Sequence, residues 1–468
     1  MTLQRELTWE TLNHLYRSSI AHQFARYALG LSYESFPDDV LHQAKRCLLD
    51  ALGCAIGAYE APGRPICEAT VRELGGVEEA TVFGSGLRTS AVNATLVNSF
   101  LVRFLDYNDF GGGGHNSDAI PSLLAAAERE KAAGREFLTS VVISYELGAR
   151  VRESIKGPSL DERGWSIDIR AGLNMPPALG RLMGLREEQI AHAIGICTGH
   201  CLPLGILDAD REELTMLKNL RFGFGGSHAI LACMLAKRGF TGPIRIVEGD
   251  SGLRDVVLKG DMDLERLTDF SGWRILNTRH KCLSANGSSL GYLLATLSLV
   301  KEHQLRSEEI ATVRIKASLR EYNHTTTPPK KYPRNAENAD HSAFYMTAIA
   351  IKDRTIGPEQ ITPEKFVDPV VQDLIERITV EPDPTMPSKG FQGSSEITTR
   401  DGRRFFMRVD TPHGLGDDPL SDQELEDKFR KMASKYMGEP KIQRIINTVW
   451  NLDRLDDTGR LAHMMVFE

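Results

Sequence analysis

Apolar side chains recur every three to four residues through almost all of the first 300 positions. That one periodicity restricts the chain to a fold built mainly from packed helices. In "DDVLHQAKRCLLDALGCAIGAY" it sets Val40, Leu41, Ala44, Leu48, Leu52, Ala55 and Ile56 near one face. Aspartates stand in the first turn, where the helix dipole favours them. "SAVNATLVNSFLVRFLD" carries the period to Asp106. "IPSLLAAAEREKAAG" restarts it with proline in the first turn and a stop expected at Gly134. "EFLTSVVISYELGARVRES" and "EEQIAHAIGICTGHC" continue it, rich in alanine and glycine, which lets helices approach closely.

The pattern then changes. "IATVRIKAS" (310–318) alternates, with Ala311, Val313, Ile315 and Ala317 on one side, as a half-buried strand requires. "LIERITVEPD" and "SSEITTRDGRRFFMRVD" repeat the alternation, the latter turning at Asp401-Gly402, a hairpin signal. Between them "DHSAFYMTAIAIKDR" is helical, and "PLSDQELEDKFRKMASKYM" returns to helix behind a Ser421/Glu424 capping box. The expected order is a large helical domain from residues 1–265, an α+β insert from 266–411, and a helical return over 412–468. A chain of 468 residues is long enough for one large domain and a smaller one.

A formal charge of -7 and a pI near 6.1 argue against a nucleic-acid binder, which carries a basic domain. No run reaches the ~18 apolar residues of a membrane span. The start, "MTLQRELTWETLNHLYRSS", has no apolar core and does not read as a secretory signal. The seven cysteines are odd in number and sit mostly in apolar segments, which predicts reduced thiols and a cytoplasmic setting. Cys197 and Cys201 match no zinc spacing and read as core.

The stretch "LDYNDFGGGGHNSDAIP" packs Asp106, Asp109, four glycines, His115 and Asp118 into one segment. A phosphate cradle fails, because a helix precedes it and His115-Asn116 stands where lysine belongs. A metal loop of Asp106, Asp109, His115 and Asp118 meets no established ligand spacing. Two readings stay open: a surface loop whose aspartates cap helices, or a loop that carries acid and base groups into a pocket.

With "GHNSD" and "IPSLLAAAE", this "LDYND" stretch resembles the signature of the MmgE/PrpD family. "FPDDVLHQAKRCLLDALGCAIGA", "LKNLRFGFGGSHAILACMLAKRGFTGP", "ADHSAFYMTAIAI" and "GDDPLSDQELEDKFRKMA" extend the likeness along nearly the whole chain. The resemblance implies a mainly α fold: a large all-helical domain formed from both chain ends, with an inserted smaller α+β lid. It also implies a homodimer, an active site between the domains, and no required cofactor; metal independence is expected separately, because no segment supplies a recognised ligand set.

Residue by residue, the resemblance places Asp106 and His115 in the active site, with His115 as general acid–base. Lys218 and Lys281 join them as candidate catalytic cations. Asp109, Ser117, Arg221, Ser227, Arg279, His280 and Asn286 are candidate substrate contacts. A polycarboxylate needs such cations, because proton removal beside a carboxylate leaves negative charge to stabilise. Departures are visible. Phe110 replaces a common threonine, no histidine stands near Trp165 to Ile167, and Ser227 stands where the decarboxylase branch has lysine. Asn286 occupies the place of a histidine.

The implied activity is a cofactor-independent lyase on a small polycarboxylate, nearest to 2-methylcitrate dehydratase. Alternatives are decarboxylation of cis-aconitate, epimerisation of an amino-dicarboxylate such as iminodisuccinate, and a non-catalytic relative.

Overall fold

The structure, a computed structural model, describes residues 9–111, 114–387 and 390–467. Helix Asp38–Gly57 is the axis of the helical part. The predicted face is buried, and so is the rest of its second half: Cys47, Leu48, Leu49, Leu52 and Cys54 are 0% exposed. Each fully buried leucine there contributes about 2 kcal/mol. Helices Ala91–Phe104, Gly134–Ser154 and Asp422–Ala433 pack around it. Gly53 and Gly57, one turn apart, leave a groove in which Phe429 and Met432 of the last of these helices seat. Buried Lys428 adds polar ties, donating to Asp50 Oδ1 at 2.7 Å, Tyr107 O at 2.7 Å and Lys281 O at 2.9 Å. The C-terminal segment is thereby locked to the N-terminal one.

Apolar side chains divide between two cores. One runs from Ile20 to Ile275 and resumes at Phe429, ending at Met465. The other runs from Leu283 to Leu415. The second holds the larger sheet. Two-residue strands β1 (Ala80–Thr81) and β2 (Arg88–Thr89) pair in the helical part. β3 (Ile310–Ala317), β4 (Ile378–Pro382), β5 (Gly393–Thr399) and β6 (Arg404–Val409) form a sheet in the order β4-β3-β5-β6. Only the β3–β4 pair is parallel. Helices Leu290–Glu302 and Ala343–Asp353 cover it. The molecule is mainly α with a small sheet, as the periodicity predicts.

Three local expectations change. Ala311 is not on the buried side of β3. The register shifts between Ile310 and Thr312, so Ile310 is buried with Val313, Ile315 and Ala317. Leu374 and Ile375 of "LIERITVEPD" end helix Pro369–Glu376, and only Ile378 onward is strand. Helix Ile120–Glu130 stops at Lys131, which takes the left-handed cap at φ +52. Gly134 instead begins the next helix, and the position requires glycine because its Cα passes against the Leu452 carbonyl, where a Cβ would lie 1.7 Å away. The Ser421/Glu424 capping box and the Asp401-Gly402 turn form as read. No helix among the described residues is long and apolar enough to cross a membrane.

Candidate active site

Helix Ala91–Phe104 is capped by Ser90 and delivers Arg103 and Asp106 to one buried point just past its end. Asp106 adopts φ +45, a conformation aspartate tolerates better than most residues but one that still costs about 1 kcal/mol. Strong contacts hold it there. Arg103 Nη1 bonds its carboxylate, and Lys281 Nζ donates to its carbonyl at 2.6 Å and lies 3.2 Å from Oδ1. Phe110 then pairs with Arg279 through two backbone hydrogen bonds of 2.7 and 2.8 Å, docking the loop on the segment that carries Lys281. Gly111 permits this approach: it sits at φ +101, and a Cβ would meet Asn277 O at 2.9 Å. Gly112 and Gly113 lie outside the described residues.

The loop brings His115 back toward Asp106. His115 Nδ1–H donates to Asp109 O at 2.7 Å, which leaves the Nε2 lone pair 3.7 Å from Asp106 Oδ1. Arg170 clamps the His115 carbonyl at 2.6 Å. The Phe110 ring stacks edge-on at 5.5 Å.

Asp109 and Ser117 tie the loop to itself. Asp109 Oδ1 accepts Ser117 Oγ at 2.5 Å and Ser117 N at 3.2 Å, and Oδ2 accepts Tyr145 OH at 2.7 Å. Asn108 Nδ2 donates to Ser117 Oγ and Asp118 Oδ1, both at 2.9 Å. These carboxylates face protein donors, so the four-residue metal constellation of Asp106, Asp109, His115 and Asp118 does not converge.

The other half of the centre comes from residues that local sequence reading passed over. Asp340 and His341 stand between a short helix, Ala336–Ala339, and the Ser342 cap of helix Ala343–Asp353. His341 Nδ1 bonds Asp340 Oδ1. Lys218, in the first turn of helix Leu217–Lys237, lies 3.3 Å from Asp340 Oδ2 and 3.4 Å from His341 Nδ1. A lysine at a helix N-terminus opposes the dipole, and Asp340 offsets it. Donor atoms of Asp106, Asp340 and His341 fall within 4.8 Å of one another, so the two halves meet. The sequence held a signal, because the stretch "ADHSAFYMTAIAI" that carries the family resemblance holds this Asp-His pair directly before a helix cap, but no role is read from it.

The remaining candidates spread outward. Arg221 pairs with Asp168 and, at 3.0 Å, with Asp208. Asn286 N donates to Asp340 O at 2.9 Å, while its amide donates to buried Glu321 at 3.3 Å. Ser227 Oγ donates to Val92 O at 2.8 Å, between two helices. The Arg279 guanidinium donates to Gly416, Leu276 and Thr278 carbonyls. The His280 ring is buried where Arg46 and Lys428 supply the nearby charge. Asp106, Lys281, His115, Lys218, Asp340 and His341 therefore form the compact group.

Burial governs its proton affinities. It holds His115 well below the ordinary histidine range, helped by Arg103 and Lys281, and it pushes His341 down to about 4, helped by Lys218. Both imidazoles are neutral at pH 7. Burial would raise Asp106, but Lys281 and then Arg103 outweigh it and keep the carboxylate ionised. Lys281 is pushed down by burial to about 8, within reach of neutral-pH proton transfer. Burial raises Asp109 to about 6 and Asp118 to about 7.

Two triads have metal-compatible spacing, Asp106–Asp340–His341 and Asp208–His324–His341, and they share His341. In the first, Lys281 and Lys218 already supply positive charge to the two carboxylates at 3.2 and 3.3 Å. In the second, Asp208 and His324 are the side chains nearest solvent, 30% and 20% exposed.

The chain is similar along nearly its whole length to several named proteins. A cis-aconitate decarboxylase-like protein, oryM, of Aspergillus oryzae is 24% identical over 96% of this chain and 97% of its own length. The cis-aconitate decarboxylase of Aspergillus terreus is also 24% identical, over 96% of both chains. The 2-methylcitrate dehydratase of Escherichia coli (strain K12) is 25% identical over 94% of both. Residues 22–265 match the MmgE/PrpD N-terminal domain and residues 289–454 the MmgE/PrpD C-terminal domain. With both domains present in order over most of its length, the chain belongs to the MmgE/PrpD family.

Proposed function

We propose that this protein is a lyase that removes water from a small hydroxylated polycarboxylate, in the manner of 2-methylcitrate dehydratase. One observation carries the reading: His115 Nε2 and Lys281 Nζ flank the same ionised carboxylate of Asp106, at 3.7 and 3.2 Å. His115 takes the proton beside a substrate carboxylate. The C–H electrons form the double bond as the carbon–oxygen bond breaks, and the departing hydroxide takes a proton from Lys281 to leave as water. Asp106 stabilises the imidazolium that forms and lies between the two groups for the returning proton. Lys218, with Asp340–His341 beside it, anchors a substrate carboxylate.

Dehydration is preferred on the resemblance alone, which puts Ser227 where the decarboxylase branch has lysine; its hydroxyl is tied to Val92 O outside the compact group. The names of the Aspergillus relatives support the second reading, decarboxylation of cis-aconitate. A panel of polycarboxylates separates them. A conjugated alkene that absorbs in the ultraviolet without carbon dioxide release supports dehydration, and carbon dioxide release supports decarboxylation. Hydrogen exchange from solvent without either product supports epimerisation. No turnover across the panel would sink the catalytic reading. Activity should survive exhaustive chelation; its loss, with recovery on one divalent ion, would assign a metal to the triads that share His341.

The same proposal makes residues 266–411 a lid over the helical part. Support comes from the centre itself, where Asp340 and Asn286 lie beside the second core and Asp106 and Lys218 beside the first. A homodimer, which light scattering would register as twice 51.9 kDa and a monomer mass would refute, and a cytoplasmic setting, supported by the free cysteines, complete it.

A further inference from the structure

Helix Glu187–Thr198 ends on a pair of thiols outside the centre. Cys197 is 1% exposed in its last turn, and Cys201, one turn on, is 5% exposed. Cys201 N donates to Cys197 O at 2.9 Å, so the two residues are one helical turn apart, a separation a disulfide can span. Their sulfurs are 3.6 Å apart, and Cys201 Sγ is 3.5 Å from Nδ1 of His228. His228 is exposed, as are Gly199 and His200 in the turn between the thiols. The hydrogen bond with Cys197 and then His228 outweigh burial and push the Cys201 thiol down to about 6, while Cys197 is held well above the usual range. Burial raises the other five thiols.

We propose that Cys197 and Cys201 form a peroxide-oxidisable dithiol, with Cys201 the attacking thiol, Cys197 the resolving thiol and His228 the proton donor. The Cys201 thiolate attacks one oxygen of hydrogen peroxide and breaks the O–O bond, becoming a sulfenic acid. The departing hydroxide takes the His228 proton and leaves as water. The Cys197 sulfur then attacks the Cys201 sulfur. The S–S bond forms, the S–O bond breaks, and the second hydroxide takes the Cys197 proton as water. Two thiols are oxidised and one peroxide is reduced to two waters.

The test treats the full chain with one equivalent of hydrogen peroxide, alkylates remaining thiols with N-ethylmaleimide, and maps peptides by mass spectrometry. The Cys197–Cys201 peptide should lose two hydrogens, escape alkylation and recover both thiols with dithiothreitol, ahead of the more exposed Cys67 and Cys282. Cys197→Ser should stop at a Cys201 sulfenic acid that dimedone captures. His228→Gln, a surface change, should slow oxidation at least about threefold. The fall in thiolate is partly offset by the greater nucleophilicity of a more basic sulfur. The proposal fails if Cys67 or Cys282 oxidises first while Cys197 and Cys201 remain alkylatable in the folded protein. It also fails if His228→Gln leaves the rate unchanged.

Discussion

Replacing Asp118 by asparagine asks whether burial sets the charge state beneath the loop from Asp106 to His115. Asp118 is 2% exposed, its Oδ1 accepts one hydrogen bond from Asn108, and the nearest cation, Arg103 Nε, is 3.9 Å away. Burial pushes its carboxyl up to about 7, against about 3.9 in an unfolded chain. Between those values the folded state holds a proton that the unfolded chain has released. The stability this group contributes is therefore complete below about pH 4 and lost as pH rises through about 7. Three units correspond to about 4 kcal/mol as an upper bound, and relaxation around the ionised group brings a reasonable figure to about 2 kcal/mol. Asparagine keeps the shape and the acceptor for Asn108 but cannot ionise. Asp118→Asn should lie within about 0.5 kcal/mol of the parent near pH 4.5 and exceed it by about 2 kcal/mol near pH 8, a rise of about 2–5 °C in Tm by calorimetry. A variant less stable than the parent near pH 8, or an offset that is the same at both pH values, would refute the reasoning.

Three further outcomes follow from the centre. His115→Ala should lower kcat by ~10²–10⁴ without lowering Tm, and Asp106→Asn should lose rate non-additively with it, since both act on one proton; normal turnover in His115→Ala removes that residue from the mechanism. The rate should fall as pH rises through about 8, where Lys281 loses its proton, and Lys281→Met should abolish that limb along with most of the activity; an unchanged alkaline limb in the variant assigns it elsewhere. Gly111→Ala must adopt φ +101 with its Cβ 2.9 Å from Asn277 O, so it should displace the loop and cost more than tenfold in kcat, by roughly 1–3 kcal/mol of strain; wild-type kinetics would show that the loop tolerates a different path.

Much of the architecture was legible because its causes are local. The helix at Asp38–Gly57, the Ser421/Glu424 capping box and the Asp401-Gly402 turn each depend on residues within a turn or two, and all three form as read. The loop from Asp106 to His115 could be singled out for the same reason, since glycines beside ionisable groups are visible in one dimension. Local patterning failed where a neighbour from elsewhere intervened: the bulge that displaces Ala311, and the Leu452 carbonyl whose close approach, not a helix stop, is why residue 134 is glycine.

The centre itself was decided in three dimensions. The sequence supplied Asp106, His115, Lys218 and Lys281 as candidates but could not say that Asp340 and His341 come within reach of Asp106, because that meeting depends on how helix Ala343–Asp353 packs. Nor could it say that Asp109 faces Ser117 and Tyr145. Charge states were equally out of reach. A histidine in a loop titrates near neutrality, but His115 is held neutral and Lys281 is brought down to about 8 because folding removes both from water and sets Arg103 nearby, which together outweigh the opposing Asp106 carboxylate. Residue order fixes which groups exist and which local turns they favour. Desolvation and the distances between segments far apart in the chain fix what those groups can do, and both arise only when the cores close around them.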